Sequence, residues 1–141
     1  TTTNFHNIER TFARAVERFG VSGRVLVQKN YRPASPEVRQ FGRDLAADPN
    51  RPDGVIYDSE IRAISVLLGL ADCGVLLGRD IQFVCKQTSD MLSTVFPQAD
   101  TIEEDVYAAG LELTRLLMRR IAGEPAEQLQ TLSEPVPHWR S

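Results

Sequence analysis

The sequence predicts an α/β fold, a three-layer sandwich with a mostly parallel sheet, and three observations support this prediction. Segments with helical spacing of apolar residues alternate along the chain with short runs of β-branched and aromatic residues. The length of 141 residues suits one compact domain and is too short for two. The composition, with 42% hydrophobic and 25% charged residues, is that of an ordinary globular protein.

Charge and cysteine usage exclude several classes of protein. The net charge is −3 and no basic stripe is present, so we do not expect these residues to bind nucleic acid themselves. No apolar run approaches the roughly 20 residues of a membrane span, and the first residues lack the pattern of a signal peptide. Cys73 and Cys85 match no metal-binding spacing and are interpreted as buried, reduced thiols. We therefore expect a cytoplasmic protein with no membrane contact.

The first third of the chain is predicted to form a helix, a strand and a second helix. Apolar residues at three- and four-residue spacing predict a first helix that runs to about Phe19 and is ended by Gly20. The apolar run Arg24–Gln28 predicts a buried strand of a parallel sheet. Ser35 and the proline after it predict the start of a second helix, which ends near Ala47. The apolar stripe of the first helix comprises Phe5, Ile8, Phe12, Val16 and Phe19.

The middle of the chain predicts a strand followed directly by a helix. The strand is Val55–Tyr57, and Asp58 or Ser59 can cap the helix after it. Gly74 is predicted to end this helix. Its inward-facing residues are predicted to be Ile61, Ile64, Leu67, Leu68 and Ala71.

The last part of the chain predicts a further strand, the longest helix and a final strand. Ile81–Val84 is typical of a strand, and Thr88–Pro97 is predicted to be a loop with one helical turn. The longest helix is predicted to begin at residue 100 or 101 and to end at Gly123. Leu129–Leu132 is the predicted last strand. The apolar side of the longest helix comprises Val106, Ala109, Leu113, Leu116, Leu117 and Ile121.

The sequence shows no catalytic machinery. It has no glycine-rich phosphate loop, no nucleophile elbow and no metal-binding set of cysteines and histidines. We therefore expect no enzyme activity, no cofactor and no metal. Asp58 and Glu60 follow the second predicted strand, where a general acid or base could act, but carboxylates there also cap helices. The acidic residues 103–105 could bind a cation, but they lack the oxygen-ligand spacing of a calcium loop and are interpreted as the solvated first turn of a helix.

The order of short segments along the chain resembles the closing part of LacI/GalR transcription regulators. Pro52–Tyr57 resembles the strand that enters the family's Asn-Asp motif, and Ser59 and Glu60 take the place of that motif. Leu77–Val84 resembles the family's Val-Pro-Glu-Asp-Ile-Ser-Val-Val, and Thr11–Val21 is similar to its Gly-Phe helix. Further matches follow in the same order at Asp100–Glu104, Gly110, Leu116, Ile121, Gly123 and Arg140.

This resemblance implies a periplasmic-binding-protein-like (type I) architecture, of which the chain would be an incomplete C-terminal subdomain. It implies that residues 1–141 bind a small-molecule effector, a sugar or a related metabolite, and pair two subunits as a homodimer. DNA binding would then belong to a helix-turn-helix headpiece. We expect that headpiece, and the N-terminal subdomain, to lie outside this sequence.

The resemblance also implies a set of ligand-binding residues. Ser59 and Glu60 replace the Asn-Asp pair, Gln87 lies in the segment that replaces Gly-Phe-Asp-Asp, and Glu104 replaces a glutamine. Tyr31 lies in a loop where such proteins often place an aromatic ring under the ligand, and an exposed loop tyrosine is the alternative. Because the effector-binding arginine and the Asn-Asp pair are both replaced, the usual sugar cannot be assumed.

Two contact surfaces follow from the resemblance. The long helix normally packs on the N-terminal subdomain, so here we expect its apolar stripe to pack on a neighbouring chain or on an unusual intramolecular surface. The dimer interface of the family uses the helix after Asn-Asp and the segment after Gly-Phe-Asp-Asp. For the second of these segments, ordinary core is the alternative. The corresponding interface residues are Ile64, Leu67, Leu68, Met91 and Phe96.

The sequence alone leaves two other functions as alternatives. A fragment of a periplasmic sugar-binding protein of a transport system would share the fold. The Arg-x-Ser-like C-terminal residues and the missing secretion signal weigh against this alternative. A small flavodoxin-like enzyme or a receiver domain would need a phosphate loop or an acidic phosphorylation pocket. Neither is visible in the sequence.

Overall fold

A computed structural model of the chain describes residues 2–27, 32 and 35–140. The chain divides into two compact units, Thr1–Tyr31 and Arg32–Ser141. The second unit contains the sheet and the hydrophobic core. The predicted α/β fold with a mostly parallel sheet is confirmed.

The first unit consists of helix α1, Thr2–Phe19, and the segment that follows it. Gly20 ends α1 as predicted, with a φ of +62° that favours glycine over other residues. The backbone N–H of Val21 then donates to the carbonyl oxygen of Val16 at 3.2 Å, which satisfies one of the last carbonyls of the helix. Of the predicted stripe, Phe12 and Val16 are partly buried and Phe19 is exposed.

The strand predicted at residues 24–28 is wrong where the structure describes it. Residues 21–27 form neither helix nor strand, and the side chains of Val25, Leu26 and Val27 are exposed. Gln28 lies outside the described residues. Apolar and β-branched residues favour a strand only where a neighbouring strand supplies hydrogen bonds and a face to pack on. The described part of this segment forms no such ladder.

The second unit contains a four-stranded sheet in the order β1-β2-β3-β4. Strands β1, β2 and β3 are parallel, and β4 is antiparallel to β3. The carboxyl ends of β1, β2 and β3 therefore meet at one edge of the sheet, which we call the C-terminal edge. The elements in chain order are α2 Pro36–Ala47, β1 Gly54–Tyr57, α3 Glu60–Asp72, β2 Gln82–Gln87, α4 Met91–Val95, β3 Asp100–Glu103, α5 Val106–Ile121, a short 3₁₀ turn Ala126–Gln128 and β4 Val136–His138.

Helices α2 and α3 pack with their backbones in contact. A Cβ atom on Gly42 would overlap the carbonyl oxygen of Val66, and one on Gly69 would overlap the carbonyl oxygen of Arg39. Both glycines are therefore needed for this close approach. The contact continues at Asp72, whose carboxylate binds the guanidinium groups of Arg39 and Arg43 at 2.6–2.9 Å. The buried core comprises Val38, Leu45, Ala63, Val66, Leu67, Leu70, Val75, Ile81, Phe83, Cys85, Leu92 and Ala99.

The buried face of α3 differs from the predicted one. Of the residues predicted to face inward, Leu67 is buried and Ile64 partly buried, whereas Ile61, Leu68 and Ala71 are exposed. The reason is the contact with α2, because Val66 and Gly69, three positions apart and so on one side of α3, both lie against Gly42 of α2. The face that results consists of Ala63, Val66, Leu67, Gly69 and Leu70.

The helix predicted to be the longest begins later than expected, and with 16 residues α5 is shorter than α1, which has 18. Asp100–Glu103 forms β3 in parallel pairing with β2, and α5 begins only at Val106. Asp105 caps α5, because its carboxylate accepts a hydrogen bond of 2.8 Å from the backbone N–H of Ala108. Acidic residues do suit the N-terminus of a helix, but here pairing with the backbone of β2 decides the conformation of residues 100–103.

The last strand also lies later in the chain than predicted. Leu129–Leu132 has no strand structure, and the side chain of Leu132 is 89% exposed. Strand β4 is instead Val136–His138, at the edge of the sheet, where a proline such as Pro137 is tolerated. Its edge position is secured by His138, whose ring lies 2.9 Å from the Glu103 carboxylate.

Helix α5 exposes its apolar side. None of its residues is buried, and Leu113, Leu117 and Ile121 are all more than half exposed. The expected packing of this helix on a neighbouring chain or on an intramolecular surface stays a prediction. Within the described part of the chain, none of the helices is long and apolar enough to cross a membrane.

The two cysteines lie in different environments. Cys85 is fully buried in β2, as predicted, whereas Cys73 is exposed. Cys73 follows α3 directly, where the chain turns at Gly74. The prediction that both thiols are buried is therefore wrong for Cys73, because an apolar neighbourhood in sequence does not give burial at a helix end.

Candidate functional site

The C-terminal edge brings together four of the five residues predicted to bind a ligand. Ser59 and Glu60 follow β1, Gln87 is the last residue of β2, and Glu104 follows β3. The backbone N–H of Glu104 donates to the carbonyl oxygen of Gln87 at 2.9 Å, so these two residues are in direct contact. The fifth residue, Tyr31, lies outside the described residues.

Glu60 connects the ends of β1 and β2. Its carboxylate accepts hydrogen bonds from the backbone N–H groups of Thr88 at 3.4 Å and Ser89 at 3.3 Å. It also accepts from the hydroxyl groups of Thr88 at 3.3 Å and Ser89 at 2.9 Å. Glu60 thus holds the turn that follows β2, and Ser59 occupies the N-cap position of α3 beside it.

Gln87 is the most deeply buried polar residue of the predicted set, with 2% of its surface exposed. Its side-chain oxygen has no hydrogen-bond partner among the described residues, and the same holds for the hydroxyl of Thr101 on β3. A buried acceptor without a partner costs about 1–3 kcal/mol. Both atoms lie on the same face of two paired strands, because Cys85, two residues before Gln87, is paired with Thr101.

The electrostatic character of the C-terminal edge is acidic. Glu104 pairs with Lys86 at 3.0 Å, and both side chains are 46% exposed, so the pair contributes at most about 1 kcal/mol to stability. Asp58 and Asp105 add further negative charge next to the strand ends. Burial, followed by the Asp58 charge, raises the pKa of Tyr57 to about 12. Tyr57 therefore stays neutral, with its ring stacked on that of Phe83 at a centroid distance of 5.9 Å.

Comparison with known proteins identifies the family. The whole chain, residues 1–141, matches the family model described as a periplasmic binding protein-like domain. The chain belongs to this family. It is 28% identical to the ribose operon repressor of Bacillus subtilis over 89 residues, which are 63% of this chain and 27% of that protein. It is also 30% identical to catabolite control protein A of Staphylococcus epidermidis over 78 residues, 55% of this chain and 24% of that protein.

These matches confirm the resemblance of this periplasmic binding protein-like domain to LacI/GalR regulators. The aligned regions span about a quarter of the length of the two relatives.

The contacts of the acidic residues at the strand ends bear on the roles considered for them, which were helix capping, acid or base chemistry and cation binding. Asp105 caps α5, whereas Glu60 bonds to the turn after β2 and leaves the start of α3 without a side-chain cap. Within the described residues, no group of three histidine, cysteine, aspartate or glutamate side chains is arranged to hold a metal ion. With Glu103 beside His138 and Glu104 paired with Lys86, four acidic residues at the strand ends of this periplasmic binding protein-like domain have contacts within the chain.

Sequence reasoning missed three residues at this edge. Thr88 and Ser89 bind Glu60, and Lys86 binds Glu104. The available signal was the position of two hydroxyl residues directly after a buried strand, where parallel sheets place their polar groups. Their partner could not be predicted, because Glu60 lies 28 residues earlier in the chain.

The residues predicted for a dimer interface do not form one free surface in the periplasmic binding protein-like domain. Leu67 is 3% exposed within the core of the chain itself, and Ile64 and Phe96 are partly buried against that core. Leu68 and Met91 are exposed. An apolar cavity of about 270 Å³ lies at the opposite edge of the sheet, and neither Leu68 nor Met91 lines it; its lining includes Leu67, Leu70, Leu76, Leu77, Ile81 and Phe96.

Proposed function

We propose that this chain is the effector-sensing region of a LacI-type transcription regulator. A small molecule, a sugar or a related metabolite, would bind at the C-terminal edge and change DNA binding by a helix-turn-helix segment of the full protein. The observation that carries this proposal is the convergence of Ser59, Gln87 and Glu104 from three parallel strands in a domain of this family. Ligands of open α/β sheets bind beyond the carboxyl ends of the strands.

The side chains at this edge suit a ligand rich in hydroxyl groups. An amide, a hydroxyl and a carboxylate together accept from and donate to neighbouring O–H groups. The side-chain oxygen of Gln87 is buried without a partner among the described residues, so a donor of such a ligand would satisfy it only if the end of β2 opens to admit the ligand. The name of one relative, the ribose operon repressor, supports D-ribose as a first probe.

The proposed mechanism is a shift in population between two conformations. Effector binding would stabilise one arrangement of two lobes, of which this chain supplies one, and so change the DNA affinity of the headpiece. The chain itself would not bind DNA, in keeping with its net charge of −3. Such a regulator would act in the cytoplasm and would not be an enzyme, and the two relatives, named as an operon repressor and a control protein, support this reading.

We also propose that the domain pairs as a homodimer through the surface around Leu68 and Met91. Both side chains are exposed, at 37% and 51%. Pairing of two subunits through them would stabilise the dimer because apolar surface is removed from water.

A thermal-shift screen tests the proposed effector site. The panel contains sugars including D-ribose, purines and organic acids, each at a concentration far above the expected dissociation constant. A binder present at 100 times its Kd stabilises the folded state by about 2.7 kcal/mol, which raises the melting temperature by several degrees.

Ser59→Ala should weaken the binding of a hit about fivefold, since one hydrogen bond contributes about 1 kcal/mol. Glu112→Gln on α5 is the matched control and should bind like the unaltered chain. Failure of the whole panel to shift the melting temperature would contradict the proposed site.

A further inference from the structure

The Glu60 carboxylate is hydrogen-bonded to other residues of the same chain. Four donors reach its two oxygens, namely the backbone N–H and the hydroxyl group of both Thr88 and Ser89, at 2.9–3.4 Å. A carboxylate offers about four acceptor positions. The internal bonds therefore use the capacity that a hydroxyl group of a ligand would need.

These bonds connect three elements at the C-terminal edge. Glu60 is the first residue of α3, and the turn that it holds lies between β2 and α4. The hydroxyl oxygen of Ser89 also accepts a hydrogen bond of 3.3 Å from the backbone N–H of Met91, the first residue of α4. The next residue, Leu92, is fully buried in the core. The position of the turn is thus set by Glu60 on one side and by the core on the other.

We infer that Glu60 is a positioning residue, and that it holds the turn Thr88–Ser89 as one wall of the effector site without contacting the effector. This inference rests on the proposed function and changes the role assigned to Glu60 within it. Effector contacts at this edge would then come from Ser59, Gln87 and Glu104, and Glu60 would act on affinity only through the turn.

Amide hydrogen exchange tests the positioning role without any ligand. Glu60→Gln keeps the size of the side chain but replaces an acceptor oxygen with an NH₂ group. We expect exchange at the Thr88 and Ser89 amides to become about tenfold faster. The amides of Phe83 and Cys85 in β2 report any loss of global stability and serve to correct for it. Asp58→Asn removes a neighbouring carboxylate and should leave both turn amides unchanged.

Unchanged exchange at Thr88 and Ser89 in Glu60→Gln, after correction with the β2 amides, would overturn the inference. Ser89→Ala extends the test. The double variant, Glu60→Gln with Ser89→Ala, should exchange at the Thr88 amide no faster than the faster of the two single variants, because both changes open the same set of bonds.

Calorimetry with D-ribose as the probe separates positioning from contact. A positioning role predicts that Glu60→Gln and Ser89→Ala weaken ribose binding by similar factors, about three- to tenfold, and that the double variant is no weaker than the worse of the two. Loss of binding in Glu60→Gln with no change in Ser89→Ala would show direct contact and overturn the inference. If the unaltered chain does not bind ribose, the choice of sugar in the proposed function fails, and the exchange experiment still decides the role of Glu60.

Discussion

At the scale of single residues, the two cysteines illustrate how burial controls chemistry. The Cys85 side chain is fully buried in β2, and its Sγ donates to the carbonyl oxygen of Lys86 at 3.2 Å. Burial, followed by the nearby charges of Glu60 and Asp58, raises the pKa of the Cys85 thiol to about 12. Because the thiolate is the reactive form, Cys85 should be inert in the folded chain. Cys73 is exposed and free.

Thiol labelling should therefore distinguish the two cysteines. With iodoacetamide at pH 8 we expect one labelled thiol per folded chain and two in denaturant, counted by mass spectrometry. Cys73→Ser should abolish labelling of the folded chain, and Cys85→Ser should not. The raised pKa of Cys85 also makes the stability depend on pH. The unfolded thiol loses its proton near pH 8.5, whereas the folded thiol keeps it until about pH 12, so the free energy of unfolding falls as the pH rises between these two values. Labelling of Cys85 in the folded chain at pH 8 would contradict this description.

At the scale of elements, the contact of α2 with α3 organises the second unit. The two helices touch through Gly42 and Gly69, and the contact determines which side of α3 faces the core. Asp72 extends the contact by binding two arginines of α2, and these hydrogen bonds hold the pKa of its carboxyl far below the usual range. The link is present at neutral pH and is lost only as the pH falls below the unfolded value of about 3.9.

A methyl group at Gly69 should disrupt this contact. In Gly69→Ala the new Cβ would overlap the backbone carbonyl of Arg39, and the helices would have to separate. We expect a loss of about 1–3 kcal/mol in the free energy of unfolding, measured by urea denaturation.

The matched control is Gly110→Ala in α5, where nothing lies within 4 Å of the new Cβ. There we expect a gain of about 0.5–1 kcal/mol from helix propensity. Equal stability of the two variants would show that α2 and α3 do not approach as closely as described.

At the scale of the whole molecule, the exposed apolar side chains of the described residues include two sets with a proposed partner. One set lies on the exposed side of α5, and the other comprises Leu68 and Met91. Exposed apolar patches mark interaction sites in soluble proteins. The proposed partners differ, because the first set was expected to pack on a neighbouring chain or on an unusual intramolecular surface, and the second to pair subunits.

Sedimentation velocity tests the pairing surface. Leu68→Glu places a charge on it and should convert a dimer into a monomer, while circular dichroism and the melting temperature change little because Leu68 is not part of the core. Leu132→Glu makes the same change on a leucine that is 89% exposed outside this surface, and should leave the dimer intact. Dimers that persist in Leu68→Glu would refute the assignment.

The sequence by itself determined those elements whose signals are local. Periodicity and capping located α1, α2, α3, β1 and β2, because spacing within one segment reports which side is apolar. The resemblance to LacI/GalR regulators, rather than the alternation of strands and helices, named Ser59, Glu60, Gln87 and Glu104, and the structure brings these four to one edge because β1, β2 and β3 are parallel. These four residues were predicted before any contact was known.

Only the tertiary structure decided features that depend on a distant partner. Asp100–Glu103 is a strand because β2 lies beside it, and residues 21–27 are not one because no partner strand pairs with them among the described residues. The rotation of α3 follows from its contact with α2, and the role of Glu60 follows from donors 28 and 29 residues away. Hydrogen-bond partners and close packing are properties of neighbours in space, and a linear pattern carries no record of them.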